Sequence, residues 1–125
     1  MRKAFQWLAV LMFGLLAVQP VLGGWISFRD RGVIDIHAMV ANTMFLVAVL
    51  LVGLAMLAGF ARKNTFILWS MLLLVMIVAQ MGLGYGAREA REVAAYHIPM
   101  GVFAFGVGLI LMLLAFGFTT RREQV

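Results

Sequence analysis

Residues 36–61, IHAMVANTMFLVAVLLVGLAMLAGFA, run from Asp35 to Arg62 with no ionisable side chain except His37. An α-helix needs about 20 apolar residues to cross about 30 Å of hydrocarbon, and this stretch is longer than that. Three more stretches have the same character, at about 4–24, 65–87 and 94–118. Lipid satisfies no exposed backbone N–H or C=O, so each is expected as a helix. The chain of 125 residues is 65% hydrophobic and 12% charged, which sets it apart from soluble domains with an apolar core. The expected architecture is a single all-α domain over 1–125, a four-helix transmembrane bundle of up-down-up-down topology with short loops.

Charge placement gives an orientation. Arg2 and Lys3, Arg62 and Lys63, and Arg121 and Arg122 fall on one side, opposed by Glu123 alone. The other two loops mix Arg29, Arg31, Arg88 and Arg91 with Asp30, Asp35, Glu89 and Glu92. An excess of Lys and Arg marks the cytoplasmic side, so both termini are expected inside and the mixed loops outside a cytoplasmic (inner) membrane. The net charge of +5 then reflects topology, and no soluble basic face is expected for nucleic acid. The first apolar run is longer than the core of a secretory signal and lacks a small-x-small cleavage site, so it is expected to remain as a helix.

The two halves repeat. An offset of 60 residues lays Gly24-Trp25 over Gly84-Tyr85, Arg31 over Arg91, His37 over His97, Ala41 over Gly101 and Phe45 over Phe105. A one-residue slip matches Gln19 and Gly23 with Gln80 and Gly84. Units of about 1–61 and 62–125 would each be a helix rising outward, a loop, and a returning helix that opens near its histidine. Tandem units of one orientation are expected to be related by an axis along the membrane normal.

His37 and His97 are the only histidines, and each stands near the outer mouth of a spanning segment. Ionisable groups there are costly and usually functional. In the expected bundle the second and fourth helices are parallel and diagonal, so the two imidazoles would face each other from equal depth. That is the arrangement needed for two axial ligands to one haem b. Absence of cysteine excludes iron–sulfur clusters, disulfides and covalently attached c-type haem.

The neighbours of the pair suit a haem pocket. Ala41 and Gly101, one turn deeper on the same faces, would leave room for a flat macrocycle, and Phe45 and Phe105 would close it. Gln19 and Gln80 are expected to face the bundle, bonding between helices or to a propionate, with Gly23, Gly24 and Gly84 allowing close approach. Arg31 and Arg91, superposed by the repeat, are the expected propionate partners. Met39, Met44 and Met100 are ordinary flexible core filling at this level. Asn42 and Thr43 add polarity to the second helix, and Asn42, with no polar counterpart at Val102, is the expected mark of one-sided substrate or quinone access.

The run Gln19-Pro20-Val21-Leu22-Gly23-Gly24, an arginine-bearing outer loop and then Ile36-His37 at a helix start resembles the haem A synthase family, and Gln80 to Gly84 followed by Tyr96-His97 repeats the pattern. The resemblance covers nearly the whole chain but only one four-helix half of that eight-helix family. It implies that His37 and His97 ligate a b-type haem near the outer face. The family's outer cysteine pair and first-loop glutamate have no counterparts, since this loop offers only Asp30 and Asp35. The expected function is therefore a membrane b-type cytochrome with one haem per chain, carrying electrons between a quinol or redox partner and another protein. Two alternatives are a haem-modifying oxidoreductase acting as a homo-oligomer, and a non-redox accessory subunit of a larger membrane complex. Whether the chain is an enzyme stays open at this point.

Overall fold

A computed structural model of the chain describes residues 1–58 and 62–117, apart from the side chain of Arg91. Four helices, α1 Arg2–Phe28, α2 Ile34–Leu57, α3 Lys63–Glu89 and α4 Arg91–Phe116, form an all-α bundle. All four are long and apolar enough to span a bilayer, and the protein is an integral membrane protein. Around the bundle α1 packs on α2 and α4, and α3 packs on the same two, so α1/α3 and α2/α4 are the diagonals.

Helices α1 and α3 run past both ends of their expected apolar segments, and α2 and α4 begin before theirs. Residues such as Arg2, Lys3, Lys63, Arg88, Glu89 and Glu92 lie in terminal helical turns, where they reach water beyond the hydrocarbon. The loops shrink accordingly. Ala90 alone joins α3 to α4, its N–H bonded to the Gly86 carbonyl at 2.9 Å. Gly86 permits this tight connection, because a Cβ there would stand 3.2 Å from Val93 Cγ1. Between α1 and α2, the Asp30 carboxylate accepts the Gly32 N–H at 2.7 Å and starts a 3-10 turn, Arg31–Val33, that leads into α2. At the far end α4 stops at Gly117, whose φ of 79° is the left-handed conformation that glycine adopts freely. The expected ends of the second and fourth segments, 59–61 and 118, lie outside the described residues, as do Arg121, Arg122 and Glu123.

The helices are apolar all round, as lipid on their outer faces requires. What marks the inner face is burial at helical spacing: Phe5, Ala9, Met12 and Leu16 on α1; Met44, Val47, Ala48, Leu51 and Ala55 on α2; Ser70, Leu73 and Ile77 on α3; and Ala104, Leu111 and Ala115 on α4. Small residues in these rows let the helix backbones approach. At Gly108 the row has no side chain at all, and Leu16 Cδ1 occupies the space that a Cβ would take. The chain's three tryptophans and two tyrosines sit toward the ends, Trp7 and Trp69 at one and Trp25, Tyr85 and Tyr96 at the other. This is the placement of aromatic belts at the two interfaces of a bilayer.

Side chains bridge both diagonals, one at each end. At the end where α1 begins, Phe5 and Phe66 meet edge to face at 5.2 Å, and Gln6 donates to the Ala115 carbonyl at 2.9 Å. At the other end the bridge is His37 with His97.

A candidate bis-histidine site at one end of the bundle

The buried apolar core stops short of one end. Among the described residues no hydrophobic side chain between Leu16 and Met44, or between Ile77 and Ala104, is buried. The inward rows nevertheless continue at the same spacing. On α1 the row 5, 9, 12, 16 runs on to Gln19 and Gly23, and on α3 the row 70, 73, 77 runs on to Gln80 and Gly84. On α2 and α4 the rows extend back through Ala41 to His37 and through Gly101 to His97. One helical phase thus delivers two amides, two imidazoles and four small residues to a single level, where apolar packing ends.

At this level the imidazoles of His37 and His97 face one another, ring centroids 6.2 Å apart and planes at 61°. Both Nδ1 atoms are buried without a hydrogen-bond partner. Gln19 Nε2 donates to the main-chain carbonyl of His37 at 3.3 Å, joining α1 to α2 directly. In the second half a Cβ on Gly101 would stand 2.7 Å from Gln80 Nε2, so that amide lies over the α4 backbone one turn from His97. The two amides therefore occupy corresponding places, each against the turn between a histidine and the small residue four positions on. With Ala41 rather than glycine on α2, Gln19 bonds the carbonyl instead of lying on the backbone.

The halves differ elsewhere. A Cβ on Gly84 would stand 3.3 Å from His97 Cε1, so the missing side chain makes room for that ring. Gly23 and Gly24, its counterparts in sequence, have nothing within 4 Å of a would-be Cβ. Phe105 packs on Phe13 with centroids 4.9 Å apart, while Phe45 is 41% exposed on the lipid side. Thr43 bonds the Met39 carbonyl of its own helix at 3.0 Å, and Asn42 is exposed. Met44 belongs to the buried core, whereas Met39 is exposed.

Four arginines crown this end. Arg29 lies over the Trp25 ring at 5.4 Å and Arg88 over Tyr85 at 5.2 Å. Arg31 is exposed on the 3-10 turn, and Arg91 opens α4 with its side chain outside the described residues. The carboxylates Asp30, Asp35, Glu89 and Glu92 are exposed, and no group of three or more His, Asp or Glu is drawn together among the described residues.

This donor set is selective. A structural or catalytic zinc ion draws three or four protein ligands, and two imidazoles fall short of that. A haem brings four ring nitrogens and asks the protein for two axial donors. Two imidazoles and unpartnered polar atoms beside them are a donor set suited to such a group, with the Gln80 amide and the His97 ring occupying the places left by Gly101 and Gly84. Comparison of the chain with family models, with curated proteins and with solved structures finds no match.

Proposed function

We propose that this protein is a membrane b-type cytochrome that holds one haem between His37 and His97 and passes single electrons between a quinol or redox partner and another protein. The observation that carries this reading is the facing pair of imidazoles, 6.2 Å between centroids, at the level where the apolar core gives way. Bound there, haem supplies a one-electron ferric/ferrous couple. His37 and His97 fix its place across the α2/α4 diagonal. Ala41 and Gly101 bring only small side chains beside the rings, the place at Gly101 being taken by the Gln80 amide, and Arg88, with Arg31 and Arg91, offers positive charge for carboxylates at the mouth. Surrounding lipid and the aliphatic core beneath keep water from the site, which lowers the reorganisation that accompanies a change of charge. The charge asymmetry of the sequence supports an inner-membrane protein with both termini in the cytoplasm and the histidine end outside.

The test is an absorption spectrum of the chain purified in detergent after haem-supplemented expression, oxidised and dithionite-reduced. Sharp α and β bands that persist under carbon monoxide are expected for iron with both axial positions filled. Bands displaced by carbon monoxide would favour an open site and the haem-modifying reading. A colourless protein would leave the histidines as helix-bridging groups of an accessory subunit.

A further inference from the structure

Five buried side-chain atoms among the described residues lack a hydrogen-bond partner, and four of them sit at one level: Nδ1 of His37 and of His97, and Oε1 of Gln19 and of Gln80. They are complementary in kind. A neutral imidazole has one N–H to donate, and an amide oxygen only accepts. They are also matched in place. The Gln19 amide already bonds the main chain of His37, and the Gln80 amide lies one turn from His97. Buried polar groups in native proteins are rarely left unpaired. The terminal amide and imidazole torsions are both broad and soft, so a turn of either ring or amide costs little.

We infer that Gln19 and Gln80 are positioning residues for the two histidines: each amide oxygen accepts the Nδ1–H of the neighbouring imidazole and so holds that ring in the tautomer whose Nε2 carries the free lone pair. The tautomer of an imidazole is set by the hydrogen bond its other nitrogen makes. A ligating histidine that donates its second N–H is oriented by that bond and becomes a stronger donor. In the first half a single amide does two jobs, with Nε2 on the His37 carbonyl and Oε1 on the His37 ring. What the freed Nε2 atoms bind rests on the haem reading, but the tautomer is a property of the protein without any cofactor.

Because the chain has two histidines, nitrogen NMR of the 15N-histidine-labelled, haem-free protein in detergent micelles reports both rings separately. The expected result is the Nδ1–H tautomer at both positions in the wild type. Gln19→Leu should change His37 and leave His97 as it was, Gln80→Leu should do the reverse, and Gln→Glu at either position, which keeps an acceptor, should restore the pattern. Nε2–H rings in the wild type would overturn the inference, and so would Leu variants whose rings keep the Nδ1–H form. The wild-type reading stands even if a variant fails to fold. In haem-loaded protein, Gln→Glu should lower the midpoint potential and Gln→Leu should raise it; equal potentials would count against the pairing. A protein that shows the tautomers but takes up no haem would retain the pairing and sink the cytochrome.

Discussion

His97 and His37 occupy corresponding sequence positions but not identical surroundings, and the difference comes down to single glycines. Gly84 gives way to the His97 ring, whereas Gly23 faces open space. A methyl group at 84 must push the ring or α3 aside by a few tenths of an ångström, while one at 23 touches nothing. Gly84→Ala should therefore lower the thermal unfolding midpoint of the detergent-solubilised protein, at a cost of about 1–3 kcal/mol for overpacking. Gly23→Ala should leave the midpoint unchanged or raise it, since alanine favours helix by about 1 kcal/mol. Equal losses at both positions would show that the wedge at Gly84 is not specific. At Gly101 the displaced atom is the end of a flexible Gln80 side chain. Gly101→Ala should cost little and move that amide toward the arrangement Gln19 takes beside Ala41.

At the scale of the helices, hydropathy showed where the chain crosses the membrane but not which way each helix faces. In lipid both faces are apolar, so the contrast that identifies the inner face of a soluble helix is missing. The polar and small residues were the legible remainder. Gln19, His37, Gln80 and His97 share one phase with the buried rows, and extending that phase along each helix would have named Leu16, Met44, Ile77 and Ala104 as the core beneath the site. Helix ends were legible only as the limits of the apolar runs, because charged residues such as Arg2, Lys3, Arg88 and Glu89 continue α1 and α3 into the interface, while Gly117 stops α4 within its apolar run. Phe45 shows the limit of the repeat: it matches Phe105 in sequence, but only Phe105 has a partner, Phe13, on the adjacent helix. The assignment of faces predicts that Leu51→Ala and Leu73→Ala, at fully buried positions, each cost about 2–5 kcal/mol. Leu46→Ala and Leu57→Ala, on the lipid face, should cost far less in the same unfolding assay. The reverse order would mean that the helices are rotated.

Over the whole molecule, the bundle places aliphatic packing through most of its length and gathers both histidines with Gln19 and Gln80 at one level near one end. The repeat accounts for this economy: two helix pairs, each bringing one glutamine and one histidine to this level, face each other across the bundle. The arginine-rich loops above that level fix the proposed orientation. A single cysteine introduced at Ala90, in a chain that has none of its own, should react with a membrane-impermeant maleimide added to intact cells, and one at Lys63 should not; the opposite pattern would invert the topology. The claim on which the rest depends, that one iron is gripped from both sides, is tested most directly by electron paramagnetic resonance of the ferric, haem-loaded protein. A low-spin signal is predicted for the wild type, turning high-spin or vanishing when either His37 or His97 is replaced by alanine. A low-spin signal that survives replacement of both histidines would contradict it.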